Sequence, residues 1–335
     1  MTVVPQMDFL NLNFVSMLGE DPAFTYAGAA QLVQRIAAAT ATQGEILPIQ
    51  PPALNASWSL QFWGPAIQCN NVSETQRTTI LNSYVSYVES PSSWILPPSY
   101  ISWGIQNSTE AIPFNNTTGT LELSQYGWYD YGFVTMFVAY IGDYDIIPWT
   151  VMQEHFSTSS IQAFGGWPQI LRNLSAIECN LYNSSYAVQF EYTNGAQNVT
   201  ISRPDTSQDV LFTAAQADFN LPMGANETWD GFDQSSMLAA SYQAIFDAFT
   251  QLIYGIIYSQ TEQSDSFITQ TILTETEDLE FLYTQLAIQN TVGDSPAFQM
   301  RSMEPLLGSR GPLIDALERL FENFTISLLS DPYLQ

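Results

Sequence analysis

Apolar positions recur at helical spacing near both ends of the chain and at alternating spacing in the middle. Between residues 23 and 42, Ala30, Leu32, Val33, Ile36 and Ala37 share one side, with Asp21 and Pro22 as a start signal, so the spacing predicts a helix. Residues 46–54 form a Pro-rich connector. Over 57–63, Trp58, Leu60 and Phe62 alternate with Ser59, Gln61 and Trp63, the period of a strand. Over 73–89, Ile80, Leu81, Tyr84, Val85 and Val88 fall on one helical face, with Ser73 and Gln76 placed as a reciprocal N-terminal cap.

The middle reads as aromatic and β-rich. Residues 132–141 have the pattern of a buried strand, and 177–183, 186–193 and 197–203 read as a run of strands. Asn194-Gly195 supplies a tight hairpin turn, because both residue types accept positive φ. Helical spacing returns over 234–260, where Leu238, Tyr242, Ile245, Phe246, Phe249, Leu252, Ile253, Ile256 and Ile257 form a stripe wide enough for a central, buried helix. A short strand is predicted over 266–273. After Gly311-Pro312, Leu313, Leu317, Leu320, Phe324 and Leu328 define the inner face of a last helix, leaving Asp315, Glu318, Arg319 and Glu322 facing mostly outward. The expected class is α+β, a β-rich aromatic middle packed against long helices from the N- and C-terminal regions. Its stretches are 1–54, 55–230 and 231–335, within one compact domain.

Charge narrows the partners. Seven arginines, no lysine and 33 acids give a formal charge of −26. Charged residues are only 12% of the chain, about half the usual share. The surface therefore rests on Ser, Thr, Asn, Gln and Tyr. Nucleic acid is excluded as a partner, because a polyanion needs a basic footprint, and anionic membrane surfaces are disfavoured for the same reason.

Ten Asn-X-Ser/Thr sequons mark the chain: Asn55, Asn71, Asn107, the overlapping Asn115 and Asn116, Asn173, Asn183, Asn198, Asn226 and Asn323. Their density predicts passage through a secretory pathway, with N-linked glycans as covalent partners. Asn107, Asn116, Asn183 and Asn226 fall in polar stretches expected to be turn-rich, and Asn323 falls in the last predicted helix. Two cysteines, Cys69 and Cys179, form an even count in a sequon-rich chain and are expected to make one disulfide; two buried thiols are the alternative. The opening residues lack a basic start and a continuous apolar run. The most apolar segment, 244–258, is interrupted by Asp247, Thr250 and Gln251, and no stretch reaches the length of a membrane span. Sequons without a leader read as a piece excised from a longer, membrane-anchored precursor.

Three segments carry a resemblance. Residues 58–69 (WSLQFWGPAIQC) join a strand, a Gly-Pro turn and a cysteine. Residues 179–190 (CNLYNSSYAVQF), followed by TNGAQ at 193–197, repeat the cysteine-led hairpin. Residues 317–330 (LERLFENFTISLLS) close the chain with a sequon-bearing helix. Together they resemble a family of large, uncharacterised plasma-membrane proteins of filamentous ascomycete fungi. The resemblance implies a glycosylated extracellular domain held between membrane helices that are absent here, and implies no catalytic residues.

Candidate chemistry is sparse. Asp143 and Asp145, with Asp130 and Glu154, have the residue types for an acid/base pair on a glycan or for oxygen ligands to calcium. In so acidic a chain, where pairs of acids are common, a solvated loop after a strand explains them better than a site does. The run Glu275, Glu277, Asp278 and Glu280 lacks the spacing and the glycine of a calcium loop. His155 is the sole histidine, which argues against zinc and against a Ser-His-Asp triad. The eight tryptophans could include a sugar-stacking platform, but most are expected in the core or packed on the disulfide. The sequence therefore predicts no cofactor and no catalytic residue. It predicts a structural or adhesive cell-surface glycoprotein able to self-associate into oligomers or filaments. A carbohydrate-active enzyme and a ligand-binding receptor ectodomain are the alternatives.

Overall fold

The computed structural model describes residues 7–10, 12–18, 25–88, 100–105, 135–141, 174–203, 206–209, 234–259, 267–269 and 313–335. Among them the chain is α+β, as expected: one eight-stranded antiparallel sheet, a two-stranded hairpin and four α-helices.

The expected helix over 23–42 begins later than its spacing predicts. Residues Thr25–Ala29 form β2, which pairs antiparallel with β1 (Val15–Leu18), and α1 spans only Gln31–Gln43. Tyr26, Ala27 and Ala29 are buried as strand residues, and the Ala30 N–H donates to the Phe14 carbonyl across the hairpin. Tertiary pairing thus overrides a local helical pattern. Gly44 ends α1 in the left-handed region (φ 68°), where its N–H caps the Thr40 carbonyl.

The sheet is organised around one pair of strands. β3 (Ala56–Asn71) extends well beyond the predicted 57–63 and pairs along its whole length with β6 (Leu174–Thr193). β6 is a single 20-residue strand, not the two separate strands predicted over 177–193; Ser184 and Ser185 pair with Gly64 and Trp63 and break nothing. On its other side β6 receives in succession β5 (Thr135–Ile141), β8 (Thr206–Asp209) and β7 (Ala196–Ser202). Beyond β5 lie β4 (Tyr100–Ile105), β9 (Gly255–Ser259) and β10 (Phe267–Thr269). The β6–β7 turn is Asn194-Gly195, both at positive φ (53° and 84°), as the dipeptide predicts.

The inner face of the β3–β6 ribbon changes parity along its length. In β6, Tyr186, Val188, Phe190 and Tyr192 are inward at one end and Ile177, Cys179 and Leu181 at the other. Leu174 and Ala176 are buried as well, so at the Cys179 end both faces of β6 are covered. Gly64 sits at the crossover, where a Cβ would lie 2.9 Å from the Phe62 ring and 3.0 Å from that of Phe9.

Helices cover the inward faces. α2 (Glu74–Val88) opens with the expected reciprocal cap, the Gln76 N–H donating to Ser73 Oγ and the Ser73 N–H to Gln76 Oε1. The central helix α3 (Gln234–Ile253) is buried around most of its circumference, as its wide stripe predicts. It ends before residue 260: Gly255, at φ 150°, turns the chain into β9, so Ile256 and Ile257 pair with Ile101 and Tyr100 as strand residues. The closing helix α4 (Leu313–Ser327) buries Leu313, Leu317, Leu320 and Phe324 as predicted, with Leu328 buried in the 3-10 turn that follows. Phe321 packs edge-on against Phe249 of α3, ring centroids 4.9 Å apart. The core thus draws on all three sequence stretches, because α1, α3, α4 and the sheet share one apolar cluster.

Candidate functional site

Cys69 and Cys179 are joined by a disulfide, at directly opposed positions of β3 and β6 with Cα atoms 4.0 Å apart. The strand geometry allows this. The β6–β7 hairpin closes on Thr193 and Ala196, so odd-numbered residues of β6 bond toward β7 and even-numbered ones toward β3. Cys179 and Cys69 therefore occupy a non-hydrogen-bonded pair, where opposed Cβ atoms come closest. The backbone N–H of Cys69 points out of the sheet and donates to Glu318 Oε1 at 2.8 Å.

That bond belongs to a clamp between α4 and the edge of β3. Arg203, just past β7, places Nε 3.2 Å from Glu322 Oε1 and Nη2 3.9 Å from Glu318 Oε2. The hydroxyls of Tyr186 and Thr325 both donate to the Pro65 carbonyl, at 2.7 and 3.3 Å. Burial raises the Glu322 pKa, Arg203 opposes that rise and the neighbouring Glu318 adds to it. Glu318 and Glu322 thus turn toward the sheet, against the expectation that they face outward. One arginine is flanked by two carboxylates, and the group ties helix, strand edge and disulfide together. The signal in the sequence was scarcity: each of seven arginines in a chain with 33 acids is a scarce counter-charge.

A second buried polar group was also missed. Asp247, 1% exposed on α3, accepts from the Tyr26 hydroxyl at 2.6 Å and from Gln243 Nε2 at 2.8 Å. Sequence reasoning saw it only as an interruption of an apolar run.

The sequons divide into groups. Asn55, Asn71 and Asn198 are exposed, the first preceding β3, the second ending it and the third on the outer face of β7. Asn183 lies within β6 opposite Pro65, not in a turn, and its Oδ1 accepts from the Tyr242 hydroxyl of α3. Asn323 lies in α4 as predicted, and its Nδ2, the atom a glycan needs, donates to the Gly44 carbonyl at the end of α1. Asn107, Asn115, Asn116, Asn173 and Asn226 lie outside the described residues, as do Asp130, Asp143, Asp145, Glu154, His155 and the acids of 275–280. Trp58 stacks on Phe190 and Tyr192, and Trp103 on Phe137, whereas Trp63 is 49% exposed. The other five tryptophans lie outside the described residues.

The disulfide marks an oxidising environment such as the secretory route provides. Among the described residues no helix is long and apolar enough to cross a membrane, and no three His, Cys, Asp or Glu side chains gather as a metal site. No family model, curated protein or solved structure matches the chain.

Proposed function

We propose that this chain is a non-enzymatic, secreted or cell-surface glycoprotein whose role is structural or adhesive, built to associate with copies of itself. One observation supports the extracellular part of this reading: a cross-strand disulfide on a domain that presents exposed sequons at Asn55, Asn71 and Asn198. Cystine needs an oxidising compartment, and Asn-X-Ser/Thr on exposed strands is open to glycan transfer there. A glycan coat over a surface of largely uncharged polar residues suits a protein that meets solvent. The resemblance to fungal plasma-membrane ectodomains agrees with this reading and supplies no independent support for it.

The test is intact mass of the protein isolated from a eukaryotic secretory host, before and after enzymatic removal of N-glycans. A mass that drops by several glycans, with no free thiol, is the expected result. An unchanged mass and two titratable thiols would refute the extracellular reading.

A further inference from the structure

We propose that the outer edge of β3, from Ser57 to Trp63, pairs antiparallel with the same segment of a second copy of this chain. The inference rests on the self-association in the preceding reading and names its surface.

The observation is an edge covered along only half its length. Among the described residues β3 is the last strand of the sheet, with β6 on one side only. Its odd-numbered residues direct their N–H and C=O groups away from β6, as the Cys69 N–H and the Pro65 carbonyl show. From Pro65 to Cys69 that edge is closed: proline removes a donor, and Thr325 and Glu318 of α4 bond the outward carbonyl and N–H. From Ser57 to Trp63 no backbone partner exists among the described residues, and Ser57, Ser59, Gln61 and Trp63 are all exposed. An open row of outward amides and carbonyls is a template for another strand.

Charge and register select the occupant. The chain carries −26, so two copies repel wherever their acids face. β3 contains no charged residue over its 16 positions, and none of the usual edge protections of lysine or bulge interrupts 57–63. A strip free of like charge is the surface at which a second copy approaches with least repulsion. The segment is also its own complement. Set antiparallel about a two-fold axis at Leu60, Ser57 opposes Trp63 of the second copy and Ser59 opposes Gln61. All four outward residues then enter hydrogen-bonded pairs, giving about eight bonds with two per pair. Such a contact is isologous and closes at a dimer. The serine side chains bond within their own sheet, Ser59 Oγ donating to Gln189 Oε1 and Gln189 Nε2 to Ser57 Oγ.

The experiment is sedimentation equilibrium of the secreted protein at physiological salt, with its glycans and after enzymatic deglycosylation. The Asn55 sequon stands two residues before the open segment, so both forms are measured. Dimers in at least one form are expected. Gln61→Pro removes an outward N–H and no β3–β6 bond, and is expected to weaken association about thirtyfold, two hydrogen bonds being lost per dimer. Ser59→Lys/Gln61→Lys sets like charges directly opposite across the axis. It reduces the net charge, so general repulsion falls and only a paired edge predicts weaker association. This variant decides the matter if the proline variant fails to fold. A wild type that is monomeric in both forms overturns the proposal, as does a folded lysine variant that associates like wild type. A glycosylated, disulfide-bonded monomer would remove the edge pairing and leave the extracellular assignment standing.

Discussion

Asn323 shows how one side chain can satisfy a motif and serve the fold instead. Its Nδ2 donates to the carbonyl of Gly44 and closes the end of α1, while Thr325, the third residue of the same sequon, is fully buried against Pro65. Glycopeptide mapping should find Asn323 unmodified and Asn55, Asn71 and Asn198 occupied. Asn323→Ala should lower stability by about 1 kcal/mol, the usual net worth of one hydrogen bond, read from denaturant midpoints. Glu322 behaves differently. Its pKa is raised by burial, so the folded state holds the proton more tightly than the unfolded chain. That contribution is complete below the unfolded pKa and is lost as pH rises through the folded one. Glu322→Gln should therefore match wild type in acid and be no less stable at neutral pH, although Arg203 loses a partner. Thermal melts of both proteins from acid to neutral pH check this. A large loss confined to neutral pH would mean that the Arg203 ion pair outweighs the desolvation of Glu322.

Among the elements, the β3–β6 ribbon is the axis of the molecule. Its disulfide sits at the end far from the Asn194-Gly195 turn, so each end of the ladder has its own constraint. The bridge joins residues 110 apart in sequence, and closing so long a loop restricts the unfolded chain. Cys69→Ser/Cys179→Ser should cost roughly 2–5 kcal/mol, measured by urea unfolding against the oxidised protein. At the turn, Gly195 holds φ 84° and its N–H donates to the Leu54 carbonyl at 2.8 Å. The Asn194 N–H donates to Asn55 Oδ1, which leaves the Asn55 Nδ2 available for a glycan.

The whole molecule should respond to pH at both extremes. Five buried tyrosines, Tyr100, Tyr186, Tyr192, Tyr242 and Tyr254, have phenols raised by desolvation, that of Tyr192 to about 12 against an ordinary 10.0. Their stabilisation is intact below the unfolded pKa and disappears as pH rises through the folded values. Alkaline unfolding beginning above pH ~10 is the expected outcome, with phenolate absorbance and loss of the fold appearing together. At the acid end, roughly half the carboxylates take up protons near pH 4, given ordinary values of about 3.9 and 4.3. Repulsion between copies then falls, and self-association should strengthen from pH 7 to pH 4, as light scattering or sedimentation would show.

Sequence alone determined what depends on local chemistry. Alternation gave the start of β3, Asn194-Gly195 its turn, Ser73 and Gln76 the cap of α2, and apolar spacing the inner face of α4. The pairing of Cys69 with Cys179 followed from an even count in a sequon-rich chain. Tertiary structure decided what depends on neighbours distant in the chain. Thr25–Ala29 became a strand because β1 lay beside it, and Ile256 and Ile257 left the helical stripe because β4 offered an edge. Glu318 and Glu322 turned inward because Arg203 and the Cys69 N–H stood within reach. The sorting of exposed from engaged sequons followed from the same packing. A local pattern records how a segment can bury its own apolar face, whereas hydrogen-bond and charge partners are set by which segments the fold brings together.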